Sequence, residues 1–302
     1  MRLLIFTLTV TLSALSFAQD YVDLLHSEYT ATPQNTYDTS NRSTDLQKAN
    51  INLTAPIELK NGNAILTGVV YDRVSARYHP IESAKTYTTS IILKLGMNLK
   101  HTDKWSTTVL LLPKIATDYM GDLSKNDFQF GGIVLAKKKK SEHLTYKFGA
   151  YMNGDRFGPF LVPLFGGYYQ KNKLEIDAII PSYAKINYSI KPKLTVGANW
   201  RATVKSYNIH RGSSFSIFNE NYMHHLSNEV AAHVGYEPIK GVIIRGMAGM
   251  SLGRSLRVYE NDDKIDFGLS LFRFGDDRIP LNPDFANGVF YRGELVYRYY
   301  LK

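Results

Sequence analysis

The sequence predicts an all-β protein, an antiparallel transmembrane β-barrel of about fourteen strands, and three observations predict it. Side-chain polarity alternates with a period of two over successive segments of about ten residues, each closed by turn residues. Several segments, notably 86–101, 104–118, 193–207 and 241–258, outrun the ~5–6 residues usual for strands of globular sheets. After the first residues no helical period and no domain linker interrupts the chain, so it reads as one continuous meander.

The N-terminus sets the compartment. Arg2 supplies a short positive region, Leu3 to Leu15 is apolar, and Ser16-Phe17-Ala18 places small residues where a signal peptidase reads them. This predicts a signal peptide over 1–18 and a single mature domain over 19–302. The apolar run is too short for a transmembrane helix, which needs ~20 residues. The chain has no cysteine, which excludes lipid attachment through sulfur, disulfides and thiolate ligands.

A mean hydropathy of −0.22 would suit a soluble protein. A barrel removes the conflict, because only alternate residues face lipid. The 21 Tyr and 15 Phe suit aromatic girdles at the two interfaces. The net charge of +9 does not point to nucleic acid in an exported chain; it points to a cationic lumen or to lipid phosphates.

The faces can be followed in order. Ala49, Ile51, Leu53, Ala55, Ile57 and Leu59 alternate with Lys48, Asn50, Asn52, Thr54 and Glu58. Ile91, Leu93, Leu95, Met97 and Leu99 oppose Ser90, Lys94, Gly96, Asn98 and Lys100, with Ile92 interrupting the polar face. Leu144, Tyr146, Phe148, Ala150 and Met152 oppose His143, Thr145, Lys147, Gly149 and Asn153. Leu194, Val196, Ala198, Trp200, Ala202 and Val204 oppose Lys193, Thr195, Gly197, Asn199, Arg201, Thr203 and Lys205. At the end, Tyr291, Leu295, Tyr297, Tyr299 and Leu301 oppose Arg292, Glu294, Val296, Arg298 and Tyr300.

Short turns are predicted at 61–63, 101–103, 138–142, 171–173, 191–193 and 237–241, and longer loops near 33–46, 77–85, 119–126, 154–161 and 208–224. Barrels of this kind keep short turns in the periplasm and long loops outside. Counting 22–32 as the first strand satisfies this, although Pro181-Ser182 then forms an unusually tight external turn. If 264–275 also spanned, the total would be odd. We therefore read 260–288 as an external excursion whose β-segment, with Ile265, Phe267, Leu269 and Leu271, folds onto the strand before it. Twelve and sixteen strands remain alternatives.

Several local phrases then show a resemblance: Leu53-Thr54-Ala55-Pro56-Ile57 followed by Asn61-Gly62 and a strand with Gly68; Arg156-Phe157-Gly158 leading to Val162-Pro163-Leu164-Phe165-Gly166; and Ile180-Pro181-Ser182-Tyr183-Ala184-Lys185-Ile186. Over nearly the whole mature chain the sequence resembles an uncharacterised group of outer-membrane barrels from Bacteroidota, domain-of-unknown-function family 6268. The resemblance implies the fold and the location, and it carries no activity.

No catalytic residue, cofactor site or metal site is assigned from the sequence. His225, Glu229 and His233 share strand parity, but residues four apart in a strand are ~13 Å apart, too far to chelate one ion. Ser213, Ser214 and Ser216 beside His210 read as loop residues, without a fixed base or oxyanion hole. The Lys137 to Lys140 run reads as a solvated hairpin turn before an anion site. The charges expected to face the lumen are Lys94, Lys114, Lys147, Glu175, Asp177, Lys185, Arg201, Lys205, Glu229, Arg245, Arg292, Glu294 and Arg298. Facing hydrocarbon, such a charge would cost ~2–4 kcal/mol. Paired, they would plug the barrel; in basic excess, they would line a weakly anion-preferring path.

The leading expectation is an outer-membrane barrel for passive permeation, solute uptake or envelope structure. A secreted β-sandwich binding protein and a barrel hydrolase are the alternatives. The expected partners are outer-membrane lipid and lipopolysaccharide, the barrel-assembly machinery during insertion, and small solutes or ions.

Overall fold

A computed structural model describes residues 21–37, 40–78, 81–210 and 220–300. The leader assigned to 1–18 lies outside the described residues. The long strands are β1 (Tyr21–Tyr37), β2 (Ser40–Glu58), β3 (Ala64–Tyr78), β4 (Ile81–Lys100), β5 (Trp105–Thr117), β6 (Phe128–Lys139) and β7 (Leu144–Asp155). They continue with β8 (Gly158–Lys171), β9 (Leu174–Ile180), β10 (Tyr183–Lys191), β11 (Leu194–Asn208), β12 (Asn221–Ile239) and β13 (Val242–Glu260). Two short strands, β14 (Phe267–Leu269) and β15 (Phe272–Phe274), precede the last, β16 (Gly288–Tyr300). Each long strand pairs antiparallel with its neighbours, and β1 pairs with β16, so fourteen strands close into a barrel.

The outer wall explains the alternation. Leu53, Leu93, Leu95, Leu111, Val134, Phe148, Phe165, Ile186, Val230, Val234, Ile244 and Leu295 all stand exposed on it, and Tyr146, Tyr188, Tyr236, Tyr291 and Tyr297 join them. At ~25 cal/mol per Å² of apolar surface, such a belt in water would oppose folding, so the wall requires lipid. No second sheet covers it among the described residues, and the sandwich alternative falls.

The short turns lie where the sequence places them, but the other end differs in three ways. The loops expected near 33–46 and 77–85 are mostly strand, because β1 runs on to Tyr37 and β2 starts at Ser40, and β3 and β4 end and start at Tyr78 and Ile81. Beyond the lipid both faces of a strand meet water, so the period of two fades although the ladder goes on. The loop expected over 154–161 is a two-residue turn, Arg156-Phe157, between β7 and β8. The β-segment of the excursion does not fold onto β13, although residues 281–284 further on do bond to it. Instead β14 runs parallel to β8, with Gly268 opposite Phe160 and Leu269 opposite Leu161, and β15 pairs back onto β14.

The reason for this last correction is the β9–β10 hairpin. Its strands have 7 and 9 residues, and its Pro181-Ser182 turn ends level with the middle of β8. The long-loop end of β8 is thereby left without an outer neighbour. A bare strand edge is costly in lipid, and β14 fills it.

Above that hairpin β11, β12 and β13 leave the wall and bend into the lumen. The bend is built by a register shift between Leu226 and Asn228 and by Gly253, whose φ of 56° is the left-handed conformation that favours glycine. Both faces of the bent sheet are consequently buried. On one face Tyr207, Met223, Leu256 and Val258 pack with Leu46, Val74, Ala76 and Ala116 from the inner side of β2, β3 and β5. On the other, Tyr222 and Tyr259 pack with Phe157, Phe160, Val162 and Ile265. Ser206, on the face that points outward lower down, instead donates to Asp155 (3.1 Å) and Gln129 (3.2 Å) on the inner side of β6 and β7. Residues 264–287, with the Tyr37–Phe285 bridge, take over the wall that the bent strands vacate.

Candidate functional site

The interior has three storeys, which follow from where each strand sends its polar face. At the short-turn end lies a cavity of about 840 Å³. Tyr21, Ala64, Leu66, Leu135, Tyr168, Ile179 and Tyr183 give it carbon surface, and Thr54, Thr108 and Thr145 add hydroxyls. Gly62 and Thr102 of two short turns and Trp105 at the start of β5 also line it. Lys147 and Asp177 line it as an ion pair at 2.5 Å. Lys137 also lines it, and no carboxylate lies within ion-pair distance among the described residues.

Above the cavity an ionic belt crosses the lumen. Glu229 is held by Lys48 and Arg292. Arg201 contacts Glu28 at 2.8 Å and Glu294 at 3.6 Å, and Arg245 contacts Glu294 at 3.1 Å. Around it stand Lys114–Asp155 (2.8 Å), Lys205–Asp72 (2.8 Å) and Arg298–Asp23 (2.7 Å). Glu175 accepts from Tyr21 (2.8 Å), and Lys94 donates to Asn52 (2.6 Å) and to Thr54. Lys185, opposite Asp177 and Asn199 in the ladder, faces the same lumen. Most of these charged side chains meet a counterion. The third storey is the bent sheet.

Sequence reasoning missed Glu28, Asp23, Asp72, Lys48, Lys137 and Asp155 as interior charges. A bulge between Asp23 and Leu25 shifts the parity of β1, which hides Glu28. Asp155 sits in what reads as a loop. Lys48 was legible, since it shares parity with Asn50 and Asn52.

His225, Glu229 and His233 face the lumen in three separate surroundings. His225 lies buried at the bent sheet, Glu229 lies in the ionic belt, and His233 bonds Asn187 at 2.9 Å. A different trio, His26, Glu28 and Glu294, brings its ligand atoms within 4.8 Å of one another. Arg201, Arg245 and Arg292 already contact those two carboxylates, so a dication there would meet more positive than negative charge.

At the long-loop end His210 is clamped. Nδ1 lies 2.9 Å from Asp118 and Nε2 lies 3.1 Å from Asp127, with Thr117 Oγ1 2.9 Å from Nδ1. Ser213, Ser214 and Ser216 lie outside the described residues. Burial would lower the imidazole pKa, but the two carboxylates overcome it and raise the value above its ordinary 6.5. A raised folded pKa stabilises fully below the unfolded value and ceases to do so as the pH climbs through the folded one. The long-loop end should therefore resist proteolysis better at pH about 5.5 than at pH about 8.5. His210→Gln should flatten that difference, and an unchanged profile in the variant would discount the clamp.

No curated protein matches this chain. Among solved structures, a monoaromatic hydrocarbon channel, the TodX deltaS2 mutant, has 10% identity and a TM-score of 0.40, covering 92% of this chain and 90% of that one. The P. putida toluene transporter TodX has 10% identity and a TM-score of 0.37, covering 95% and 92%. CdiB from Escherichia coli has 7% identity and a TM-score of 0.30, covering 91% and 63%. The sequence family described as Domain of unknown function (DUF6268) matches residues 12–272, and to that family this barrel belongs.

Proposed function

We propose that this protein is an integral outer-membrane barrel, sealed at its long-loop end, that works from a chamber open to the periplasm. The chamber takes a small solute with an apolar body. The observation that carries this reading is the bent β11–β13 sheet, apolar on both faces, standing over an ionic belt in which most charges are answered. An open basic channel would need an excess of hydrated, unpaired cations along the whole path. The outer-membrane location is supported by the apolar belt and by the division into short-turn and long-loop ends. The hydrolase alternative draws no support from His210, because carboxylates hold both ring nitrogens and leave none to act as a base.

The absence of native cysteine makes the test direct. Thr54→Cys places a thiol in the chamber, and Leu123→Cys places one on an exposed long loop. On intact cells a membrane-impermeant maleimide should modify the Leu123→Cys variant and spare the Thr54→Cys variant. Permeabilising the outer membrane should make the chamber thiol reactive. Equal labelling of both variants on intact cells would show an open lumen and end the proposal.

A further inference from the structure

Two polar groups of the short-turn chamber are left unanswered by its own walls, and they stand side by side. Lys137 is the first. In the ladder it is opposite Ser106 of β5 and Lys147 of β7. The charges that act on it are Lys147 and Asp177. Asp177 is fully engaged, since Lys147 holds one oxygen at 2.5 Å and the Tyr183 hydroxyl donates to the other at 3.2 Å. The remaining carboxylates around the chamber are occupied or remote. Asp23 is on Arg298 at 2.7 Å, Asp103 is on Lys100 at 2.9 Å, and Glu175 accepts from Tyr21 at 2.8 Å and from Asn187 at 3.3 Å. Glu58 stands on β2, with β3, β4 and β5 between it and β6, and Glu142 is exposed in the β6–β7 turn. Lys137 thus has neither an ion pair nor a hydrogen bond among the described residues.

Thr145 is the second. It lines the same chamber, is 3% exposed, and its Oγ1 has no hydrogen-bond partner among the described residues. Lys139, the last residue of β6, is opposite it and adds a further cation on that side. Lys137 and Thr145 are diagonal neighbours across the β6–β7 ladder, a separation of ~7–8 Å that a lysine side chain covers. An ammonium among apolar walls and a buried hydroxyl are each costly without a partner. A single carboxylate relieves both, one oxygen accepting from Lys137 Nζ and the other from Thr145 Oγ1. The charge of Asp177 close by opposes a second negative charge on the same ligand.

We infer that the chamber binds an apolar monocarboxylate, its head held by Lys137 and Thr145 and its tail directed inward. Leu135 and Ile179 lie two residues farther from their short turns than Lys137 and Asp177, and with Leu66 and Tyr183 they give the tail its carbon surface. The volume of about 840 Å³ falls within the ~300–1,000 Å³ of small-molecule sites. This inference rests on the chamber reading above and names the class of solute for it.

The test uses the full mature chain in phosphatidylcholine nanodiscs, with equilibrium dialysis against 6-phenylhexanoate, 6-phenylhexanol and 6-phenylhexyl phosphate, and with empty nanodiscs as the blank. The wild type should bind the acid about tenfold or more tighter than the alcohol, as a charge-assisted contact requires. The phosphate should bind no better than the acid. Lys137→Met should bring the acid down to the level of the alcohol and leave the alcohol where it was. Thr145→Val, of the same shape, should cost the acid about threefold, and it serves as the second variant should Lys137→Met lack the heat-modifiable gel shift of a folded barrel. Equal wild-type binding of acid and alcohol, or a preference unchanged in either folded variant, would overturn the carboxylate site and leave the apolar chamber standing. Tighter binding of the phosphate would overturn the monocarboxylate as its ligand. Uptake of no probe above the blank would instead defeat the chamber reading itself, and this inference with it.

Discussion

Glu229→Gln is expected to destabilise the folded barrel by about 3–5 kcal/mol, the usual result of removing one partner from a buried ionic cluster. The glutamate is 3% exposed and answers both Lys48 and Arg292. Its amide replacement keeps the shape and leaves two cations facing each other across the lumen. Arg292 retains Thr30 at 2.8 Å, the Phe290 ring at 4.9 Å and the more distant Glu28 at 4.0 Å. The measurement is the urea midpoint of refolding into micelles, followed by gel shift. Lys48→Met combined with Glu229→Gln should recover part of the loss, because it removes one of the stranded charges. A drop below about 1 kcal/mol for the single variant would place Glu229 in a wetter, screened setting than its burial describes.

The second large effect concerns the seal. Leu256 is fully buried between Tyr207, Met223 and Val258 on one face of the bent sheet. Leu256→Asp puts a carboxylate into that apolar cluster, at a cost of several kcal/mol unless the sheet moves and admits water. The β12–β13 ladder below the Leu226/Asn228 shift does not depend on this packing. The wall should therefore survive while the upper storey loosens. In planar bilayers the wild type should pass no steady current, and Leu256→Asp should show discrete conductance steps. A folded, heat-modifiable variant that stays silent would locate the seal elsewhere.

Much of this is legible in the residues alone. The faces around Lys147 and Trp200 are those of the lumen and the lipid, because a strand in a membrane wall obeys a strict two-sided choice of solvent. The bent sheet is harder to see, although the sequence marks it. Tyr222-Met223-His224-His225-Leu226 drops the alternation and becomes bulky on both faces, as strands buried on both sides do. Read alone, that stretch suggests a histidine site; placed in the fold, it is packing. Glu28 is hidden by a single bulge, since one extra residue reverses every later face. The partner of β14 is illegible for another reason. Nothing local in Phe267-Gly268-Leu269 encodes the shortness of a hairpin some ninety residues earlier.

The bent sheet also fixes how this molecule can move. Its obstruction is not a separate body resting in a tube; it is the same backbone that, a few residues lower, meets the acyl chains. Nothing can be expelled from the bore without tugging on the rungs that join β13 to β16. The bend at Gly253 begins just past the last of those rungs, Ser251 with Gly288, so blockage and outer wall are one continuous stretch of chain.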